Sequence, residues 1–385
     1  MPAAMPLSGL SRRALSRRQL IGAGAAVAAA PFVLPPIVAP ERAAAVGSLD
    51  RIWPTAGWES VAPADLGIDP AVFIEAAARI ADEATTLSAL VTTVGGRVVD
   101  EWYVDGFTRD DTTDIWSSTK SVTSAATGIA IGEGLFGLDD TLGALIPDRI
   151  PADAEPGTAD IRVRDLLTMS SGWEWEGTAD YANLETADDY AGRTLSLPVI
   201  AVPGESFTYN SGNSHVLSVI IQATSGQTLR QYAQDRLFTP IGVQVAGWDE
   251  TPQGETTGGW GLHLTPGQMA AFGYLMLNGG EWDGTQVVPA DWIAASTAWQ
   301  IDPIAENDFG GGTGYGYFWW LDEISGHDAF FSLGYGESSI MVVPGLDLVM
   351  AAATARVPAL ELAAEQSRPR PTMRDTIAPA VAARR

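Results

Sequence analysis

Of the 22 basic side chains in this 385-residue sequence, 21 are arginine and one is lysine, Lys120. Three residues upstream stands Ser117, in the run Trp116-Ser117-Ser118-Thr119-Lys120. Helical residues three apart share a face, so the hydroxyl and the amine can meet one turn apart. A serine hydroxyl is a weak nucleophile until a base takes its proton. Lysine can be that base only as a neutral amine. At the head of a helix the dipole repels the cation, and burial removes its solvation, so the amine can fall well below its ordinary pKa of about 10.4. Arginine stays protonated in proteins and cannot do this work. Spacing by itself leaves a coincidental pair open, because serine is common in this chain.

The elements around the pair can be read from pattern. Leu87 to Val104 holds two β-rich runs about Gly95-Gly96-Arg97, which predicts a hairpin. From Ser117 to Glu133 small and apolar residues recur at helical spacing, with Gly134 as the stop. Helices are expected over Val163 to Met169, His215 to Thr224, Leu229 to Leu237 and Pro266 to Leu277. Strands return at Gly316 to Leu321, Ala329 to Leu333, Ser338 to Val343 and Leu346 to Thr354. Strands at both ends with helices between predict an α/β (α+β) fold: one antiparallel sheet flanked by helices, with a mainly helical region inserted. The expected division is a leader over 1–45 and a single folded domain over 46–360. Within that domain the sheet lobe comes from about 46–110 and 300–360 and the helical lobe from 111–299. A C-terminal helix or tail follows over 361–385.

Five ordered segments, WSSTKSVTSAATGIAIGEGLFGLDDTL, RVRDLLTMSSGW, VPGESFTYNSGNSHVLSVI, GGWGLHLTPGQMAAFGYLMLNGGEWDG and SLGYGESSIMVVPGLDLVM, carry a resemblance. Together they resemble the serine β-lactamase and penicillin-binding superfamily, and within it the class C-like esterases and 6-aminohexanoate-dimer hydrolases. The resemblance implies Ser117 as nucleophile, Lys120 as general base and Tyr209 as proton relay, with Ser211 where β-lactamases carry asparagine. The third motif falls on Gly334-Tyr335-Gly336, and the oxyanion hole on the backbone N–H groups of Ser117 and Glu337. Each such donor is worth about 3 kcal/mol in the transition state. β-Lactamases hold a substrate carboxylate with a lysine in the third motif. Here that cation is missing and an acid, Glu337, lies beside the motif, which argues against efficient β-lactam hydrolysis. Trp175 or Tyr181 is expected as a pocket wall.

Other features are read more plainly. Acids Glu174, Glu176, Asp180, Glu185, Asp188 and Asp189 read as a solvated loop, and His215 and His263 as packing residues. Gly132 to Gly137 matches G-x-G-x-x-G but follows a helix, so no nucleotide role is assigned. No G-x-S-x-G elbow anchors a serine-histidine-aspartate triad.

Composition narrows the field further. A net charge of -25 repels phosphate backbones, so nucleic acid is not an expected partner. With no cysteine and three histidines, no metal or cofactor is expected. Ser16-Arg17-Arg18-Gln19-Leu20-Ile21 ahead of an apolar run resembles a twin-arginine export signal, with Ala43-Ala44-Ala45 as a cleavage site. Pro31, Pro35 and Pro36 interrupt that run, so no stable membrane span is expected in the mature form. The expectation is an exported serine hydrolase acting on small esters or amides, with carboxylesterase action favoured. The alternatives are β-lactamase or D-Ala-D-Ala peptidase-like activity, and an idle homologue that binds peptide or cell-wall fragments.

Overall fold

A computed structural model describes residues 51–84, 86–303, 312–354 and 369–384, all within the unit Arg42–Arg385. The expected leader over 1–45 lies outside the described residues, as does 361–368 of the expected C-terminal segment.

The strands among the described residues are β1 (Leu87–Val94), β2 (Arg97–Tyr103), β3 (Thr113–Asp114), β4 (Gly247–Trp248), β5 (Leu262–Leu264), β6 (Glu281–Trp282), β7 (Thr285–Gln286), β8 (Gly314–Tyr315), β9 (Trp320–Ile324), β10 (His327–Phe331), β11 (Ser339–Val343) and β12 (Leu348–Thr354). Seven of them form one sheet in the order β2-β1-β12-β11-β10-β9-β8, with antiparallel pairings throughout. The early hairpin therefore docks directly on the last strand, Val91 opposite Ala351. Gly95 and Gly96 take φ of 58° and 80°, the left-handed pair that a two-residue hairpin turn requires.

Every residue of β1, β11 and β12 is buried, so both faces of the sheet centre are covered. One cover is the helix Pro266–Leu277, which Thr265 caps and Pro266 opens. A side chain at Gly273 would come within 2.6 Å of Val349 Cγ1, so glycine there lets this helix sit close to the sheet. The helix Ala71–Glu83 turns Phe73, Ala76 and Ile80 inward at helical spacing. Its Arg79 donates to Thr376, in the helical stretch that runs from Pro369 to Ala382, at 2.8 Å.

The helical lobe centres on Thr119–Gly132, buried from Thr119 through Ala130, which packs against Ser211–Ser225. Three expectations change. The strand expected over Gly316 to Leu321 is interrupted, because Phe318 takes φ of 60° between β8 and β9. The helix expected to Leu237 is regular only to Ala233 and continues as a wider turn over Gln234–Phe238. The acidic segment is not a loop alone: it folds into the helices Thr178–Glu185 and Tyr190–Leu195. Between the lobes lies a small sheet, β3-β5-β4, that periodicity did not predict because its strands have two or three residues each.

Candidate active site

The site is built on the first turn of the central helix. Trp116–Ser118 forms a tight 3-10 turn that runs into Thr119–Gly132, so Ser117 is half-exposed at the rim while Lys120 points into the lobe. Lys120 is 2% exposed. Its Nζ lies 3.0 Å from Ser117 Oγ and donates to the Gly259 carbonyl at 3.0 Å. Loss of solvation pulls the amine down from 10.5 to about 7, although the nearby Asp114 favours the charged form.

Tyr209 arrives from the chain leading into Ser211–Ser225, where Asn210 caps the helix by accepting the Gly212 N–H at 2.7 Å. The Tyr209 ring lies 5.0 Å from Lys120 Nζ and stacks on Trp320 with centroids 6.1 Å apart. Burial pushes its phenol up to about 12, partly offset by a hydrogen bond from Ser117. The hydroxyl thus sits between an amine that deprotonates easily and a phenol that keeps its proton. Neighbouring groups whose environments drive their proton affinities apart are suited to paired base and acid roles.

Gly259 carries no side-chain signal, yet its carbonyl is the second partner of the amine. The loop that holds it runs between the two central helices. Thr123 Oγ1 donates to Gly258 O at 2.7 Å and Ser218 Oγ to Thr256 O at 2.6 Å. A side chain at Gly258 would run into the Ser214 carbonyl, and one at Gly259 would reach 2.6 Å from Ser214 Oγ and 3.2 Å from Lys120 Nζ. Only glycines fit this gap.

The third motif closes the other side. Gly334 packs where a side chain would meet the Ile115 carbonyl at 2.5 Å, and Ser118 Oγ donates to Ser338 O at 2.9 Å. Tyr335 meets Trp116 edge-on at 5.4 Å, and Gly336 and Glu337 take φ of 65° and 61°. The Glu337 carboxylate is not a bare acid beside the cleft: Arg370 Nη2, from the C-terminal helical stretch, pairs with it at 2.9 Å.

Ser211 is buried in the first turn of its helix, with its carbonyl taken by Ser214 Oγ at 2.8 Å. Tyr181 packs edge-on against Trp260 at 5.2 Å, and Trp175 joins the same cluster with Leu184 and Tyr190. Burial raises the Tyr181 phenol, and the charges that act on it include Asp114 and Tyr209, which places this aromatic cluster beside the site. Among the six acids, Glu174, Glu176, Glu185 and Asp188 are exposed. Asp180 pairs with Arg193 at 3.3 Å, and Asp189 caps its helix and pairs with Arg149 at 3.2 Å. His215 is fully buried, 3.5 Å from Glu255, which also pairs with Arg149. His263 faces Asp249 at 3.4 Å. Among the described residues no cluster of three or more potential metal ligands occurs, and no helix is long and apolar enough to cross a membrane.

A buried amine set against a hydroxyl at the head of a helix, beneath an antiparallel sheet whose last strand pairs with its first, is the arrangement of serine hydrolases of the β-lactamase type. The Beta-lactamase family model matches residues 75–369, most of the chain, and the chain belongs to that family. It is 26% identical over 289 residues to the 6-aminohexanoate-dimer hydrolase of Paenarthrobacter ureafaciens, covering 68% of this chain and 71% of that one. It is 28% identical over 156 residues to the lovastatin esterase of Penicillium rubens, covering 35% of this chain and only 39% of the esterase. Among solved structures, EstCE1, a hydrolase with promiscuous acyltransferase activity, superposes with a TM-score of 0.65 at 17% identity, over 80% of this chain and 98% of that one. At that identity the likeness speaks for the fold.

Proposed function

We propose that the protein cleaves small esters through a covalent acyl-enzyme on Ser117. The observation that carries this reading is the Lys120 amine, sealed from solvent, 3.0 Å from the hydroxyl and held near 7. Neutral Lys120 takes the Ser117 proton as Oγ attacks the carbonyl carbon. The developing oxyanion is met by backbone N–H groups, Ser117 on one side and Glu337 of the third-motif turn on the other. Tyr209 passes a proton to the departing oxygen and recovers one from the amine. Water then enters, and the same groups act in reverse to release the acid.

Ester substrates are favoured over amides on proton chemistry. An amine must be protonated before it leaves, whereas an alkoxide depends less on that proton, and a phenol held near 12 gives its proton reluctantly. Substrates bearing a carboxylate are disfavoured, since Gly334-Tyr335-Gly336 supplies no cation and Arg370 is engaged by Glu337. Trp175 and Tyr181, with Trp260, would wall the acyl pocket. The twin-arginine pattern in the leader supports export as the place of action.

The test is a fluorophosphonate probe followed by peptide mass mapping, with a p-nitrophenyl acyl ester, a linear aminohexanoate dimer and a chromogenic cephalosporin assayed in parallel. An adduct on Ser117 and fastest turnover of the ester are expected. An unlabelled Ser117 would overturn the acyl-enzyme, and fast cephalosporin turnover would overturn the substrate class.

A further inference from the structure

Asp114 ends β3, three residues before Ser117. One of its oxygens, Oδ1, accepts two backbone N–H groups: Trp116 at 2.7 Å and Gly261 at 2.9 Å. The first donor belongs to the residue that precedes the serine, and that residue is strained: Trp116 takes φ of 54°. A bulky residue in the left-handed region is strained and persists only where its surroundings hold it. The second donor lies two residues beyond Gly259, whose carbonyl holds the lysine amine.

The joint is reinforced on either side. Ile115 N–H donates to Leu262 O at 2.9 Å, and the Leu262 N–H reaches Thr119 Oγ1 at 3.4 Å. A single carboxylate oxygen therefore ties the strand that aims the hydroxyl to the loop that holds the amine. We propose, resting on the acyl-enzyme reading, that Asp114 is a positioning residue: it locks the strained Trp116–Ser117 turn against the Gly259–Gly261 loop and so fixes the distance between hydroxyl and amine.

The charge of the clamp has a second effect. Asp114 is faced by Lys120 from the central helix, His263 from β5, Asp249 from the segment after β4, and Tyr181 from the Thr178–Glu185 helix. Burial raises its carboxyl to about 6, against the pull of the two N–H groups and His263, so it is ionised where Lys120 titrates. An anion there favours the lysine cation. Removing the charge while keeping the acceptor oxygen must move the lysine to lower pH.

Two variants of the full chain separate position from charge. Asp114→Asn keeps an oxygen for both N–H groups, so its plateau kcat should stay within about five-fold of wild type while the acid limb of kcat/KM moves down by roughly half to one pH unit. Asp114→Ala removes the clamp, and its plateau kcat should fall by at least about thirty-fold with KM changed by less than about three-fold. A wild-type plateau in Asp114→Ala, or an unmoved limb in Asp114→Asn, overturns the proposal. If Asp114→Ala does not fold, Asp114→Glu, which keeps the charge but displaces the acceptor oxygen by one methylene, takes its place: a plateau kcat lowered at least about ten-fold is expected, and a wild-type plateau overturns the proposal. Because the chain has one lysine, [13Cε]lysine gives a single resonance for Lys120. Its titration in wild type and Asp114→Asn reads the coupling without substrate. A missing Ser117 adduct with an intact lysine shift would therefore refute the acyl-enzyme reading and not the coupling.

Discussion

The Lys120 amine makes a prediction that needs no substrate. In the unfolded chain it titrates near its ordinary 10.5, and in the folded protein near 7. Between those values the unfolded state holds a proton that the native state lacks, so unfolding takes up a proton and raising the pH opposes it. At about 1.4 kcal/mol per unit, the fall from 10.5 to about 7 makes the protein about 5 kcal/mol less stable at pH 7 and below than at pH 10.5, as far as this group is concerned. The perturbation is Lys120→Met, which keeps an unbranched side chain and removes the titration. Urea unfolding at pH 7.5 and 9.5 should show wild type gaining about 2 to 3 kcal/mol over the interval relative to Lys120→Met. The tyrosines, whose phenols are raised by burial, contribute equally to both proteins and cancel in the comparison. Equal pH dependence in the two proteins, or a [13Cε]lysine resonance titrating near 10, would refute the reasoning and with it the neutral base. The same amine predicts an activity that rises through pH 7 to a plateau.

Four further outcomes follow from the geometry. Tyr209→Phe keeps the stack on Trp320 but loses the proton relay, and kcat for an ester should fall about 100-fold with KM little changed, read by steady-state kinetics. Arg370→Met leaves Glu337 without its cationic partner in a mostly buried position, keeping only the backbone N–H of residue 370; a loss of about 2 kcal/mol in urea unfolding is expected, along with reduced kcat, with partial recovery in Arg370→Met/Glu337→Gln. Gly258→Ala drives a methyl into the Ser214 carbonyl and should lower the thermal midpoint and abolish turnover together, since the loop that bears Gly259 must shift. Burial would raise the Glu255 carboxyl, but His215 and Arg149 hold it to about 2, so this network stabilises the protein above about pH 4.5 and the contribution, about 3 kcal/mol, is lost as pH falls toward 2. Glu255→Gln should flatten that acid limb of the stability profile.

What the sequence made legible was what side-chain type and local period encode. The Gly95-Gly96 hairpin, the helix Pro266–Leu277 and the Ser117–Lys120 pair all rest on neighbours within a few residues. Gly259 was invisible as a partner because a backbone carbonyl looks the same at every position. The pair Gly258-Gly259 marks the gap that admits it, but Gly95-Gly96 and Gly279-Gly280 look the same in sequence. Asp114 belongs to no motif and ends a stretch of acids with no ordered spacing, yet its carboxylate turns inward to two N–H groups, one of them 147 residues away. Glu337 stood as an acid beside the third motif, and its neutralisation by Arg370, 33 positions on in the segment read as a helix or tail, had no local signal. The break at Phe318 escaped notice because aromatic residues favour strands and a left-handed kink leaves no compositional trace.

The burial of Lys120 also bears on how the protein can be handled. Reagents that seek primary amines, such as activated esters used to attach dyes or surfaces, find no accessible side chain on the folded body, because the one lysine is 2% exposed. Coupling is then confined to the chain's α-amino group, giving a single tether in one orientation. Any uptake of a second label would report that the lobe around the helix has opened.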